Sequence, residues 1–129
     1  MKILLTGASG LLGNAYAEAA VRRGHEVTAV RHTHAPGVDG LAGTVRLDAT
    51  DWDALSVCCL DLWPDAIVNC AAISAPAAVE ADPAAGERVN VRLPRQLAQL
   101  STHLGARLIH ISSDMVFDGQ AAHPYRSAD

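Results

Sequence analysis

The most informative segment of the sequence is Thr6-Gly7-Ala8-Ser9-Gly10-Leu11-Leu12-Gly13, in which three glycines are spaced as G-x-x-G-x-x-G. An apolar run, Lys2-Ile3-Leu4-Leu5-Thr6, leads directly into it, and an Ala-rich segment at residues 11–23 follows and stops at Gly24. The run is typical of a buried strand and the segment of a helix. The sequence therefore opens with a strand, a tight glycine turn and a helix.

Each glycine of this turn has its own reason to lack a side chain. Gly7 permits the tight turn, Gly10 lets backbone N–H groups approach a pyrophosphate, and Gly13 allows close packing of helix on strand. The helix N-terminus then faces the phosphate with free N–H groups and its positive dipole end. A glycine-rich turn without a ligand is the alternative, but the position between first strand and first helix favours a dinucleotide. The predicted phosphate-binding residues are Gly7, Ser9, Gly10, Leu11, Leu12 and Gly13.

The rest of the chain alternates strand and helix patterns. Further strands are predicted at residues 26–30, 45–47, 66–70 and 107–112, and helices at residues 51–62 and 84–104, the latter kinked at Pro94. Residues 32–43, the small-residue segment after the fourth strand, and residues 118–129 are predicted loops. We therefore expect one α/β domain over residues 1–129, a doubly wound parallel Rossmann sheet of five strands in the order 3-2-1-4-5. Its ligand crevice should lie at the carboxyl ends of strands 1 and 4.

Composition and charge exclude several classes of function. The 129 residues carry a formal charge of -4, and their ten basic residues are scattered, which argues against nucleic acid or an anionic membrane as a partner. No apolar run reaches the roughly 20 residues of a membrane span, and no signal-peptide pattern precedes the first strand, so we expect a cytoplasmic protein. The six histidines and three cysteines have no zinc-site spacing, so no metal is predicted. The cysteines are expected to be reduced, because the side chains of the adjacent pair Cys58 and Cys59 point different ways from one predicted helix.

The glycine spacing resembles that of the extended short-chain dehydrogenase/reductase family. Leu47-Asp48-Ala49-Thr50-Asp51 is similar to the family's acidic segment after the third strand, and Asn69-Cys70-Ala71-Ala72 to its Asn-Ala-Ala segment after the fourth. The resemblance implies that Asp48, with Ala49 beside it, bonds the adenine amino group. It also implies that Cys70, Ala71 and Ala72 lie along the ribose and nicotinamide. An ordinary turn aspartate and a small-residue loop are the alternatives.

Two more segments resemble one branch of that family, the dTDP-4-dehydrorhamnose reductases. Residues 89–98, Val-Asn-Val-Arg-Leu-Pro-Arg-Gln-Leu-Ala, look like the branch's mid-chain helix, and residues 109–119, Ile-His-Ile-Ser-Ser-Asp-Met-Val-Phe-Asp-Gly, like its signature I-S-T-D-Y-V-F-D-G. The resemblance implies a reductase of nucleotide-linked sugars. Ser112 would then lie beside the cofactor, Ser113 would bond the reacting carbonyl oxygen, and Asn90 would help to orient an active-site water. A hydroxyl bonded to backbone and a helix cap are the respective alternatives for Ser113 and Asn90.

The end of the second strand bears on the choice of dinucleotide. In a Rossmann fold, an acidic residue there bonds the ribose hydroxyls of NAD and repels the 2′-phosphate of NADP. This sequence has Arg31-His32 instead. Because a guanidinium can bind phosphate through two parallel hydrogen bonds, NADP(H) is favoured over NAD(H), with Arg31 the better candidate. A solvated surface arginine is the alternative.

The family's Tyr-x-x-x-Lys pair does not occur in this sequence. The tyrosines are Tyr16, inside the first helix, and Tyr125, whose fourth following residue is Asp129; the single lysine is Lys2. Met115 also replaces the aromatic residue usual in the branch. Catalytic residues are therefore restricted to Ser113 and Asn90.

The family's fold continues beyond a fifth strand, so we expect a fold truncated after that strand and lacking its C-terminal half. The first hypothesis is that the chain is the cofactor-binding half of an NADPH-dependent reductase and cannot reduce a sugar by itself. A non-catalytic dinucleotide-binding or regulatory protein and a non-redox enzyme that reuses the crevice are the alternatives. The apolar fifth strand or the adjacent helix is expected to mediate self-association.

Overall fold

Five parallel strands form a single sheet. The computed structural model describes residues 1–120 and 122–126 of the chain. The strands are β1 (Lys2–Thr6), β2 (Glu26–Arg31), β3 (Gly43–Arg46), β4 (Ala66–Asn69) and β5 (Arg107–His110). They lie side by side in the order β3-β2-β1-β4-β5, which confirms the predicted Rossmann arrangement.

Helices cover both faces of the sheet. They are α1 (Leu11–Arg22), α2 (Trp52–Leu62), α3 (Pro76–Ala81), α4 (Pro83–Glu87) and α5 (Leu93–Leu104), with a π-helical turn at Arg88–Arg92 and a 3₁₀ turn at Asp114–Val116. In β1, Ile3 and Leu5 face the α1 side, whereas Leu4 faces the side of α2 and α5. β1 and β4 are therefore buried on both faces, as their continuous apolar sequences predict.

Local side-chain chemistry sets the ends of the covering helices. The Asp51 carboxylate caps α2 by accepting hydrogen bonds of 3.1 Å from the backbone N–H groups of Asp53 and Ala54. Trp63 ends α2 in the left-handed conformation, with φ 47°, and Gly105 ends α5 with φ 66°. These ends fix where each chain segment returns to the sheet.

The helix predicted over residues 84–104, with a kink at Pro94, is interrupted before the proline and not at it. Its first part is α4, the π-helical turn follows, and regular α-helix resumes only at Leu93. Pro94, in the first turn of α5, has no N–H to bond the carbonyl four residues back, and its ring would clash there. The N–H of Leu93 instead bonds the carbonyl of Arg88, five residues back. The helix is therefore interrupted before the proline, by the π-helical turn at Arg88–Arg92.

Other differences are smaller. The segment after β4, predicted as loop, contains α3, which begins with Pro76 in its first turn. β3 begins and ends earlier than residues 45–47, and β5 ends at His110 rather than residue 112. Residue 121 and residues 127–129 of the predicted C-terminal loop lie outside the described residues. No helix in the described part of the chain is both long and apolar enough to cross a membrane.

Candidate dinucleotide-binding site

The glycine turn between β1 and α1 is built against the segment that follows β4. Gly7 has φ 71°, and its carbonyl accepts the N–H of Gly10 at 3.1 Å. A Cβ at Gly7 would overlap the backbone of Cys70 and Ala71, and one at Gly13 would overlap the Gly7 carbonyl. Packing within the protein therefore requires glycine at positions 7 and 13.

Gly10 differs from the other two glycines. It is exposed, has φ -76°, and a Cβ there would meet only the Gly7 carbonyl oxygen, at 3.3 Å. This contact is tight but is not an overlap, so packing within the protein favours glycine less strongly here than at positions 7 and 13. A ligand lying directly on the backbone would add a further reason for glycine.

The N-terminus of α1 is available to an anion. Gly10 caps the helix in an extended conformation, no side chain bonds the first N–H groups, and the first turn has no acidic residue. Leu11 is 95% exposed and Leu12 is 51% exposed, so the entrance to the helix is bordered by open apolar surface. Free N–H groups and the helix dipole favour a negative group at this place.

The adenine end predicted from the sequence lies at the ends of β2 and β3. Oδ1 of Asp48 accepts hydrogen bonds of 2.8 Å from both the backbone N–H and the hydroxyl of Thr50. These bonds lower the pKa of the Asp48 carboxyl, and the positive charges of His32 and Arg88 lower it further. Asp48 is therefore an ionised acceptor held in a fixed orientation.

The loop that follows β2 is attached to the helix of the glycine turn. Asn14 of α1 accepts the backbone N–H of Gly37 at 2.9 Å through its side-chain oxygen. Arg31 is half-buried at the end of β2, and His32 is exposed with its ring 3.3 Å from the Thr33 hydroxyl. The two cationic candidates for a 2′-phosphate thus start a loop that is anchored beside α1.

Asn90 fastens the segment after β4. Its side-chain oxygen accepts the N–H of Ile73 at 2.9 Å, and its amide nitrogen donates to the carbonyl of Ile73 at 3.0 Å. The π-helical turn carries Asn90 at this point. The asparagine therefore acts on backbone next to the predicted nicotinamide segment, Cys70 to Ala72, rather than as a helix cap.

Ser113 begins the 3₁₀ turn after β5. Its hydroxyl accepts the N–H of Met115 at 3.1 Å and lies 3.2 Å from a carboxylate oxygen of Asp114. Both Ser112 and Ser113 are exposed. The hydroxyl predicted to bond a substrate carbonyl thus has a local bonding partner in this structure.

A row of polar side chains, not predicted from the sequence, crosses the crevice end of the sheet. The Thr6 hydroxyl donates to the side-chain oxygen of Asn69 at 2.5 Å, and the Asn69 amide nitrogen lies 3.0 Å from Nδ1 of His110. The strand register pairs Thr6 with Asn69 and Asn69 with His110, so all three lie on one face. Only the register of the sheet reveals this row, because its members lie far apart in sequence.

The three cysteines are free thiols, as expected. Burial raises the pKa of all three, that of Cys59 to about 12, which keeps them protonated at neutral pH. Among the described residues, no group of histidine, cysteine and carboxylate side chains is arranged to hold a metal ion.

The strand order and the glycine turn on its first strand define a Rossmann-type dinucleotide-binding fold. The family model described as RmlD substrate binding domain matches residues 1–129, and the chain belongs to that family.

Named relatives agree with this assignment. The chain is 39% identical over 123 residues to a dTDP-4-dehydrorhamnose reductase of Streptomyces griseus, covering 95% of this chain and 36% of the relative. It is 37% identical to the methionine adenosyltransferase 2 subunit beta of Bos taurus, covering 99% of this chain and 36% of the relative. The chain thus spans under two fifths of the length of these relatives.

Solved structures show the same fold. A hypothetical dTDP-4-dehydrorhamnose reductase from Sulfolobus tokodaii superposes with a TM-score of 0.86 at 29% identity, over 100% of this chain and 45% of the other. The Bordetella bronchiseptica enzyme WbmG, solved in complex with NAD and UDP, superposes with a TM-score of 0.71 at 26% identity, over 84% of this chain and 36% of the other.

Proposed function

We propose that this chain binds an NAD(P) dinucleotide across the carboxyl ends of β1 and β4, as the cofactor-binding part of a reductase of nucleotide-linked sugars. The glycine turn carries the proposal. Contacts within the protein require glycine at positions 7 and 13, whereas Gly10 is exposed at the N-terminus of α1, where no side chain bonds the first N–H groups. A pyrophosphate on the Gly10 backbone accounts for both the glycine and the free N–H groups.

The remaining contacts follow the length of a dinucleotide. The ionised carboxylate of Asp48, with Ala49 beside it, accepts a hydrogen bond from the adenine amino group. Arg31, helped by His32, pairs the 2′-phosphate, which favours NADP(H) over NAD(H) because no carboxylate stands at the end of β2 to repel it. The ribose and nicotinamide pass along Cys70, Ala71 and Ala72, whose small side chains leave the backbone accessible, and end near Ser112.

The reaction supported by this arrangement is the reduction of a sugar carbonyl, for which a bound nicotinamide supplies hydride. Ser113 would turn its hydroxyl from Asp114 to the carbonyl oxygen and stabilise the charge that develops there. Asn90 would keep the Ile73 backbone in place beside the nicotinamide. No Tyr-x-x-x-Lys pair occurs among the 129 residues, so these residues alone are proposed to bind the cofactor without turnover.

A second candidate is a non-catalytic dinucleotide-binding subunit. It is favoured by the 37% identity to a protein named as a subunit of methionine adenosyltransferase, close to the identity with the reductase. The two candidates share the dinucleotide site and differ in the need for a nucleotide-sugar. Binding of a deoxythymidine diphosphate sugar would favour the reductase, whereas NADPH binding unaffected by any nucleotide-sugar would favour the subunit.

Equilibrium titration of Gly10→Ala with NADPH tests the proposed phosphate site. A methyl group at position 10 enters the space assigned to the pyrophosphate, so we expect the affinity to fall at least about tenfold with the fold unchanged. Gly43→Ala is the matched control, because Gly43 begins the edge strand β3, outside the glycine turn, and its added Cβ would meet only the Thr28 side chain, at 3.6 Å or more. Equal affinity of the two variants would contradict the proposal.

A further inference from the structure

The side chain of Asn69 has only one possible orientation. Its oxygen accepts the backbone N–H of Ala71 at 3.1 Å in addition to the Thr6 hydroxyl. A backbone N–H can only donate, so the atom facing it must be the amide oxygen. The amide nitrogen of Asn69 therefore faces His110 as a donor.

This orientation determines the state of the His110 ring. Nδ1, 3.0 Å from the Asn69 amide nitrogen, must accept a hydrogen bond and cannot carry a proton. The single ring proton is then on Nε2, and the ring is neutral. An imidazolium, or the other tautomer, would place one N–H directly against another.

The hydrogen bond that Asn69 donates to His110 matters because Asn69 is fully buried. Among the described residues, His110 is the acceptor for its amide nitrogen, and a buried amide donor without a partner is costly. Without that acceptor, the Asn69 side chain would turn or shift to regain a partner. Its oxygen would then no longer hold Ala71.

Ala71 in turn borders the glycine turn. The space that a Cβ at Gly7 would need is already filled by the Ala71 nitrogen and the Cys70 carbonyl. A small movement of Ala71 would therefore change the backbone packing against Gly7 and with it the conformation of the glycine turn. One chain of contacts runs from His110 on β5 through Asn69 to the backbone of the phosphate-binding turn.

We infer that His110 is a positioning residue for the dinucleotide site, and that its neutral ring, protonated on Nε2, holds Asn69, Ala71 and the glycine turn in the binding arrangement. The inference rests on the proposed dinucleotide site. It assigns to His110 a role in cofactor affinity without any contact with the cofactor.

His110→Asn and His110→Leu form a matched pair for the test. Asparagine and leucine have similar sizes, but only asparagine offers an acceptor near the position of Nδ1. In calorimetric titrations we expect His110→Leu to bind NADPH about 3- to 10-fold more weakly than the wild type, and His110→Asn within about twofold of it. Circular dichroism establishes that both variants are folded.

The tautomer is measured on the wild type, so the test does not depend on either variant folding. In ¹⁵N spectra of the neutral ring, a bare Nδ1 resonates far downfield of a protonated Nε2, and we expect this pattern for His110 at pH 8. A proton on Nδ1 there would overturn the inference. Two results with a wild type that binds NADPH would also overturn it: His110→Leu binding NADPH as tightly as the wild type, or His110→Asn binding it as weakly as His110→Leu. In either case the proposed dinucleotide site would stand. A wild type that binds neither NADPH nor NADH would overturn the proposed function and this positioning role with it.

Discussion

Asn90 and Ile73, 17 residues apart in sequence, are joined by two hydrogen bonds between the asparagine amide and both polar groups of the Ile73 backbone. The bonds connect the π-helical turn to the segment after β4, which borders the glycine turn. A residue predicted to act on an active-site water thus has a structural task that is visible without any ligand.

Replacement of Asn90 by leucine should lower both stability and cofactor affinity. Two hydrogen bonds at an exposed position contribute about 1 kcal/mol together, so we expect the free energy of unfolding in urea to fall by about that amount. NADPH affinity should fall as well, because the segment after β4, along which the nicotinamide is proposed to lie, loses the bonds that hold Ile73. Gln99→Leu, the same kind of change at an exposed position of α5, should alter neither quantity. If Asn90→Leu and Gln99→Leu had the same unfolding free energy and the same NADPH affinity, the bonds of Asn90 to Ile73 would have no role in stability or binding.

Arg31→Asp should shift the relative affinity for the two cofactors toward NADH. A carboxylate at the end of β2 repels a 2′-phosphate and can bond free ribose hydroxyls, so affinity for NADPH should fall about tenfold or more while that for NADH is kept or improved. Titration with both cofactors measures the ratio. Arg23→Asp changes net charge equally just beyond the far end of α1 and should leave the ratio unchanged. A parallel loss of both affinities in Arg31→Asp would show that Arg31 does not read the phosphate.

Asp48 should contribute stability that depends on pH in the acid range. Its pKa in the folded chain lies below the usual 3.8, chiefly because of the two hydrogen bonds from Thr50. The contribution is therefore fully present above the unfolded pKa and is lost as the pH falls through the lower folded pKa. Asp48→Asn should cost more stability in urea unfolding at pH 7 than at pH 3. The same cost at both values would mean that the ionised carboxylate has no favourable partner.

The sequence predicted the topology well because the relevant signals are local. Continuous apolar runs identify β1 and β4 as strands buried on both faces, and the glycine turn places the crevice between them. The wide turn before Pro94 was not predicted, since a proline shows that regular bonding must fail without showing how the backbone adapts. The first turn of α3 likewise has only weak sequence signals, a proline followed by small residues.

The candidate site was predicted in part for the same reason. Gly7, Gly10 and Gly13 belong to one turn, so their spacing is sufficient to recognise them. The sequence assigns no role to His110, because its link to Asn69 depends on the register between β4 and β5. The partner of Asn90 is a backbone group, which no pattern of side chains can show.

The edge strand β5 should promote self-association of this chain. Within the described residues it pairs only with β4, and Ile109 is 38% exposed and Ile111 41% exposed on or next to that edge. Unpaired backbone groups beside apolar side chains are a template for a second strand. Light scattering across micromolar concentrations should detect a dimer or larger species, and Ile109→Lys should shift it toward monomer. Val57→Lys, on exposed α2 surface, is the control, and a wild type that is strictly monomeric would contradict the prediction.

We propose that a dinucleotide lies on the glycine turn and along the segment after β4. Titration of the ¹⁵N-labelled chain with NADPH, followed through backbone amide shifts, would locate it. We predict the largest changes at Gly10, Leu11, Leu12 and Ala71, with smaller ones around Asp48. The absence of shifts at saturating NADPH, or shifts confined to the groove between β3 and α2, would contradict the account.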